Sequence, residues 1–522
     1  MTAQSSMASA RRWTLTATII GSSLTFIDAT AINVALPALQ THLHATMTDV
    51  QWVIEAYALF LGSLILVGGS LGDQIGRKRV FVIGVWVFTL ASVACGLAAS
   101  APALIVARAV QGVGAACLVP SSLAIISAAF DDAERGRAIG TWSGFSAITS
   151  AIGPIAGGWL IEHISWRAVF FLNVPLAAIV LVISARHISE SRDASRNFRI
   201  DWAGGLLAVF GLGAVVLALL EWPRQVERRP FLGATMALGA SLLMAFIVVE
   251  SRVSSPMLSL RLFASRRFTL ANLLTLLQYG ALATVFWLVP LNLIQVQHYS
   301  ATGAGAALLP LPVLMFALSR WSGGLVSHVG SRLPLTVGPI VAAAGLALFA
   351  RTGIGGTYWT TFFPAVALLG FGMAILVAPL TTAAMTAVET QHAGVASGVN
   401  NAVARVAGLI AIAVFGIVLI RTFEVRVGAA LGRLAVPPSA RSSVDREIPK
   451  LAGAEVAATV EPALARAIRR TIDESFVSSF GLIMIAAAGS SLAAAACGAL
   501  FDNGPTRSAV SRQKSGPSGQ NL

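Results

Sequence analysis

The residue with the most chemistry to offer is an acid in an apolar setting. Asp28 lies inside the hydrophobic run of residues 13 to 37, with Ser22 and Thr25 on neighbouring positions of the same helix surface. A carboxylate at that depth in a bilayer is costly when ionised. Burial favours its neutral form, and a cation or a water-filled cavity favours its charged form, so exposure to each side in turn would let it carry a proton. The plainer reading is a structural hydrogen bond or a place near the outer interface. Arg108, in the run of residues 102 to 126, shares a helical face with Gln111, Gly112 and Ala115. A buried guanidinium needs acceptors, which Asp28 or Gln111 can supply. Such a pair is either a switch broken by protonation or a fixed strut, and spacing alone leaves both open. Glu55, about one turn into the run of residues 51 to 71, is a candidate second titrating group. Its nearness to an interface marked by Trp52 and Tyr57 favours simple solvation instead.

Other groups suggest surfaces and joints. Gly394, Ser397, Asn401, Arg405 and Gly408 form one stripe at helical spacing, a face turned to protein or water rather than to lipid. With Thr25, Asn33 and Gln111, residues Asn401 and Arg405 are the candidate lining of a substrate cavity; helix-to-helix contact is the equal alternative. Arg320 is a further intramembrane cation. Residues 139–159 carry no ionisable side chain, yet hold Gly140, Gly144, Gly153, Pro154, Gly157 and Gly158. Lipid keeps such a stretch helical, and its bare surface admits another helix closely, which marks a moving joint. Gly69, Asp73, Gly76 and Arg77 to Arg79 form a joint whose arginines can pair with Asp73 and with helix C-termini, an inner latch. His42 and His44 lack acidic or Cys company and read as a solvated loop. Cys95, Cys117 and Cys497 sit in apolar runs without metal-ligand spacing. Neither a metal site nor a cofactor is expected.

These residues need elements that cross a membrane. The 522 residues are 56% hydrophobic and 11% charged, with mean hydropathy +0.78, whereas soluble domains carry about 25% charged residues. Apolar windows centre near residues 13–37, 51–71, 79–99, 102–126, 137–161, 168–188, 202–220, 230–250, 268–291, 304–327, 333–351, 360–385, 394–420 and 475–500, an all-α chain of fourteen spans. The first run continues past Asp28 to Pro37, too long for a secretory signal, so it is expected to be retained. The net charge of +13 gathers in short joints, as topogenic charge does, so its partner is the anionic inner leaflet rather than nucleic acid. Arg11, Arg12, Arg507, Arg512 and Lys514 put both termini in the cytoplasm; Arg224, Arg228 and Arg229 fit that topology poorly. Gly69-x-Leu71-x-Asp73-x-x-Gly76-Arg77 recurs as Gly323-x-Leu325-x-Ser327-x-x-Gly330-Ser331-Arg332, so two halves are related. The chain divides into a six-helix half (1–190), two inserted spans with linkers (191–260), a second half with a long external loop at 423–474 (261–502), and a disordered cytoplasmic tail (503–522). No GxxxxGK[ST] pattern is present, so uphill transport would draw on an ion gradient. No nucleophile, base or metal cluster suggests an enzyme.

The motifs resemble the major facilitator superfamily, and within it the fourteen-span drug:proton antiporters of the EmrB/QacA type. Ile27 to Pro37 is similar to the family's first-span motif, Gly69 to Arg79 to its loop motif, Arg108 to Gly112 to its fourth-span motif and Gly153 to Gly158 to its antiporter motif. Trp166-Arg167 and Phe171 to Pro175 fit the family's start of span six. The resemblance implies two six-helix bundles with inserted spans seven and eight, alternating access, and efflux of lipophilic or cationic small molecules driven by the proton gradient without a cofactor. It makes Asp28 and Arg108 the coupling candidates and Asp73 with Arg77 the gate. Some members carry an acid in span thirteen, where this chain has Asn400, Asn401 and Arg405, which weighs against dicationic substrates. The expected location is the inner membrane. A single chain suffices, and partnership with a periplasmic adaptor and outer-membrane channel stays open. The rival readings are an exporter of one endogenous metabolite, a nutrient importer and a membrane sensor that binds without transport.

Overall fold

The computed structural model describes residues 3–501 except 131, 193–200, 223–225, 254–255, 257, 389–392, 435 and 458–459, and omits some side chains, chiefly within 3–8, 131–151, 319–328 and 393–397. The tail of residues 503–522 and the side chains of Ser397 and Arg320 therefore lie outside the described residues, as does Gly394's surface.

The long helices run α1 (Ala3–Leu43), α2 (Met47–Ile75), α3 (Arg77–Leu97), α4 (Ala101–Ala129), α5 (Asp132–His163), α6 (Ala168–Phe171 continuing into Asn173–His187), α7 (Trp202–Glu221) and α8 (Arg229–Arg252). They continue as α9 (Arg266–Gln295), α10 (Ala301–Ala307 continuing into Pro310–Val329), α11 (Arg332–Phe349), α12 (Phe363–Thr386), α13 (Ala393–Arg433) and α14 (Pro462–Ala499). No strand occurs among the described residues. Among the described residues, thirteen helices are long and apolar enough to cross a membrane; α5, the fifth span of the sequence reading, packs along α1. The chain is a multi-pass membrane protein, and hydrocarbon leaves helices as the only way for such segments to satisfy their backbone.

Helices α1 to α6 pack among themselves, as do α9 to α14. Between the halves stands the hairpin of α7 and α8. Its first helix seats Val216 and Leu220 against Leu59 of α2 and Leu409 and Ala413 of α13, and its second touches mainly the first. The internal repeat is visible in the backbone: Gly76 and Gly330, both with positive φ (120° and 74°), turn the chain at the ends of α2 and α10.

One expectation needs correction. Residues 423–474, expected to be loop throughout, are in large part helical: α13 runs on to Arg433 and α14 begins at Pro462, with a short helix at Pro438–Glu447 and a 3-10 turn at Ile448–Gly453 between them. The reason is apolar: Leu431, Val444, Leu451 and Ala452 are buried in a core cluster to which both halves contribute.

The halves meet tightly at the end opposite the basic joints. There Gln295 donates to Gln40 (2.6 Å), Gln40 donates to the Lys450 carbonyl (3.5 Å), and Gln51 donates to the Ile412 carbonyl (3.3 Å). The Thr302 amide and hydroxyl both donate to Glu162, at 2.6 and 2.8 Å. That end is sealed.

Candidate functional site

The first half is organised around Asp28, at mid-length of α1. Its carboxylate pairs with Arg108 of α4 and accepts hydrogen bonds from Gln111 Nε2 (2.8 Å) and Asn173 Nδ2 (3.2 Å). Asp28, Arg108, Gln111 and Asn173 are all buried. Arg108 also donates to the Val53 carbonyl of α2 (3.0 Å) and to Gln111 Oε1 (2.7 Å), and lies 4.3 Å from the Tyr57 ring centroid. Ser92 of α3 receives Asn173 Nδ2 at 2.8 Å and donates to the Phe170 carbonyl at 2.9 Å. Five helices thus converge on one carboxylate. The donors are an amide, an amide and a guanidinium, the set that an ionised carboxylate needs, since it can only accept.

Local sequence explains the convergence. Arg108 and Gln111 stand one turn apart on α4, so both reach α1 from one face. Gly112 lets α4 lie against α2: a Cβ there would stand 2.5 Å from the Tyr57 carbonyl. Asn173 opens the second segment of α6, where the helix is interrupted at Leu172.

The remaining predicted site residues divide into several places. Thr25 and Asn33 are buried and hydrogen-bond carbonyls of their own helix, those of Ser22 (2.8 Å) and Ala29 (3.1 Å). Gln111, read from sequence as cavity lining, is held inside the Asp28 network. Arg405 of α13 is half-buried and faces α2, its Cβ 3.5 Å from where a Cβ on Gly62 would stand; Asn401, one turn away, is exposed. Glu55 corrects the expectation of simple solvation. It is buried, and neither of its oxygens has a hydrogen-bond partner. On α2 it sits one turn from Gln51, which bonds α13, and one turn from Leu59, which packs on α13. It therefore lies in the seam between the halves, where apolar neighbours replace the interfacial water.

The two joint motifs differ in construction. Arg77 donates to Asp73 through Nε (3.0 Å) and Nη2 (2.9 Å). Glu190, beyond α6, accepts from the amides of Lys78 and Arg79 at 3.0 and 3.2 Å, crossing beneath Gly76, where a Cβ would meet its carboxyl at 2.6 Å. In the other motif the glycines face two ways. Gly153 and Gly157 press α5 against α1, where Cβ atoms would meet Thr30 Oγ1 at 2.1 Å and Ala31 Cβ at 2.8 Å. Gly158 faces the opposite half: its Cβ would lie 2.6 Å from the backbone of Ala301 and Thr302, while a Cβ on Gly305 would reach the Pro154 carbonyl at 2.3 Å.

Sequence reading passed over Ser92, Glu190 and the Glu162–Thr302 contact, and met Asn173 only as part of the Phe171 to Pro175 motif, with no role given to it. Asn173 and Ser92 carried a usable signal, being polar residues inside apolar runs. Glu190 and Glu162 lie at helix ends among other charges, where sequence offers nothing to single them out. Among the described residues no group of three metal-ligating side chains occurs, and Cys95, Cys117 and Cys497 are free thiols.

Two helical bundles that meet at a seam, with a buried acid–base network in one of them, have the architecture of a membrane transporter. The chain belongs to the Major Facilitator Superfamily, whose family model matches residues 18–412. It is 35% identical over 440 residues to "Multidrug resistance protein Stp" of Mycobacterium tuberculosis, covering 83% of this chain and 80% of that protein. It is 31% identical over 511 residues to "Tetracenomycin C resistance and export protein" of Streptomyces glaucescens, covering 94% and 91%. A solved bacterial homologue of the human lysosomal transporter Spinster, inward-facing and unoccupied, shares the fold at TM-score 0.61 and 18% identity, covering 94% and 97% of the two chains.

Proposed function

We propose that the chain exports lipophilic or singly charged small molecules in exchange for protons, with Asp28 as the proton-binding group. The observation that carries this reading is the enclosure of the Asp28 carboxylate by Arg108, Gln111 and Asn173 in the middle of the first half. Proton binding at Asp28 removes the charge that Arg108 pairs with and turns an acceptor-only group into a donor, so the network must rearrange. The rearrangement has a mechanical outlet. Helix α1 carries Thr30 and Ala31, one turn beyond Asp28, against Gly153 and Gly157 of α5, and α5 carries Pro154 and Gly158 against α10 of the other half. A shift of α1 is therefore passed to the seam through a single helix.

The basic joints favour the cytoplasmic side of an inner membrane for both termini, with fourteen crossings. In that orientation the seal lies on the outside, and the Asp73–Arg77 latch and Glu190 lie within. Glu55, unpaired in the α2–α13 seam, is the second group whose proton occupancy would follow seam opening. The relatives named for drug resistance and export support efflux, and Arg405, against Gly62 of α2, disfavours dications by repulsion. A single chain contains all these parts, and an adaptor with an outer-membrane channel is not required by them.

Everted vesicles test the proposal. Wild type should accumulate ethidium and a neutral fluorescent lipophile in a protonophore-sensitive manner, and Asp28→Asn should abolish accumulation. Accumulation that survives both treatments refutes proton exchange.

A further inference from the structure

Positive charge at the sealed end stands against the topogenic pattern, which gathers arginine at the basic joints. Arg351 lies in the joint between α11 and α12, and Arg466, Arg469 and Arg470 lie in the first three turns of α14. With Asp473 and Glu474 they line two adjoining hollows, of about 760 and 380 Å³, that share Ile354, Arg470 and Glu474. Four arginines thus stand among two carboxylates.

The arginines are unequally committed. Arg469 is held by Asp473 (2.7 Å) and by the carbonyls of Ala454 (3.1 Å) and Gln295 (2.9 Å). Arg470 pairs with Glu474 (2.7 Å) one turn on, an exposed contact of the kind that contributes little. Arg351 is exposed and has no acidic partner among the described residues. The larger hollow, between α11 and α14, changes character with depth. Arg351 and Arg470 hold its outer part, and Ala347, Val477, Gly481 and Ile485 form an apolar wall below them. No residue of α14 after Glu474 is charged, so the hydrocarbon layer begins there. Arg470 stands about 6 Å further out at 1.5 Å per residue, within a headgroup layer of about 5–7 Å. Ile485 lies about 16 Å inward of Glu474 by the same rise, close to half of a hydrocarbon core of about 30 Å. The hollow therefore runs the depth of one leaflet, and Ile485, 53% exposed, opens it to lipid.

We propose that this groove holds one anionic phospholipid of the leaflet opposite the basic joints, with its phosphate between Arg351 and Arg470 and an acyl chain along Val477, Gly481 and Ile485. Charge and depth carry the assignment together. A soluble anion would use the arginines and leave the apolar wall bare. A zwitterionic lipid would cover the wall and gain less from the net positive outer part. The Glu474 contact gives way because a phosphate offers Arg470 a bidentate acceptor in its place. The lipid ties the joint after α11 to the turns of α14 that project beyond the hydrocarbon, both parts of the second half. It braces that half and takes no part in proton exchange, so the inference stands apart from the transport reading.

Full-length protein carrying Ile485→Cys labelled with bimane, in nanodiscs, tests this. The exposed thiol reacts ahead of the native cysteines, two of them buried and one half-buried, and unsubstituted protein gives the background. Phosphatidylcholine nanodiscs receive a fixed minor fraction of either phosphatidylglycerol or phosphatidylcholine bearing a mid-chain nitroxide, which quenches bimane at contact range. Each of the two arginines should contribute about fivefold to the preference for phosphatidylglycerol read from quenching. Arg351→Gln should lower the preference by that factor, and Arg351→Gln with Arg470→Gln should bring it near parity; both side chains are exposed, so the fold survives their loss. Arg433→Gln, an exposed arginine outside the groove, should leave it unchanged. Equal quenching by the two lipids with all arginines present would make the groove ordinary lipid contact. A preference that survives the double variant, or that Arg433→Gln also removes, would assign it to the general charge of the protein. Loss of the preference on adding inorganic phosphate at constant ionic strength would make it a site for a soluble anion. Each of these results overturns the proposal.

Discussion

Gly158→Ala adds one methyl group at the closest approach of the two halves. Its Cβ would stand 2.6 Å from the carbonyl carbon and oxygen of Ala301 and from the Thr302 Cα, where ordinary contact begins at 3.4 Å. All three are backbone atoms, so no rotamer change relieves the overlap and α5 and α10 must part by about 0.8 Å, the difference of those distances. Overpacking of this kind costs about 1–3 kcal/mol. At 1.4 kcal/mol per factor of ten, the sealed arrangement loses about five- to a hundredfold in population relative to the open one. Spin labels at Thr41→Cys and Ile354→Cys, exposed positions at the sealed end of each half, read this as a new long-distance population in double electron–electron resonance. Gly140→Ala, on the same helix with nothing within 4 Å, is the control and should leave the distribution alone. Gly157→Ala should lower thermal stability without opening the seam, since its methyl meets Ala31 inside the same half. An unchanged distance distribution in Gly158→Ala, with the label sites verified as reactive, would refute the assignment of this glycine to the moving contact.

Three further outcomes follow from the geometry. Asp28→Asn and Arg108→Gln should each destabilise the first half by about 3–5 kcal/mol, because each leaves a buried partner uncompensated; the double variant should recover much of that in melting temperature while transport stays lost, and additive losses would show that the pair does not interact. Glu162 is exposed; slight desolvation alone would raise its pKa, but hydrogen bonds from the Thr302 amide and hydroxyl and from Ser300, with His163 nearby, outweigh this and hold it below the usual glutamate range; the latch is therefore complete above the ordinary value of about 4.3 and lost as pH falls through the depressed one. Glu162→Gln should accordingly remove the acid dependence of seam opening, and a pH response identical to wild type would assign it to another group. Gly76→Ala should cost about 1–3 kcal/mol, since it forces an alanine to positive φ and pushes Glu190 off the amides of α3; an unchanged melting temperature would show that the joint yields freely.

Much of the fold was legible because lipid simplifies the code: an apolar run of sufficient length has to be a helix, and the glycine-rich joints repeat in both halves at Gly76 and Gly330. The Asp28–Arg108 pairing was legible as a need for acceptors, since both residues were alone among apolar neighbours. What sequence left open was direction. It assigned Glu55 to an interface because Trp52 and Tyr57 are near, but whether a side chain on α2 faces headgroups or α13 depends on helix rotation, which only the packing of Gln51 and Leu59 fixes. It read residues 423–474 as a long joint carrying many arginines with nearly as many acids, and missed that apolar side chains such as Val444 and Leu451 pack the segment against both halves. It treated Gly153 to Gly158 as one bare surface, whereas successive glycines four and five apart point to two partners.

The two halves are alike in fold and unlike in charge. In the first, α1, α3, α4 and α6 surround an ion pair. In the second, the described polar contacts at the corresponding place are between neutral groups: Asn400 donates to Thr275 (2.7 Å), Ser491 donates to Gln278 (2.6 Å), and Gln278 donates to Met373 Sδ (3.4 Å). Neutral hydrogen bonds of this sort do not change with proton occupancy, so they fix the second half as a rigid frame. The ion pair does respond, because one proton alters the charge that several donors share. Chemical change is thus confined to one body while the motion is relative to the other, and the only elements that belong to both are those at the seam. On the proposed proton exchange, Glu55, Gly158 and the Glu162–Thr302 latch would have a different task from Asp28: they would set the energy of opening, and Asp28 would set when opening occurs.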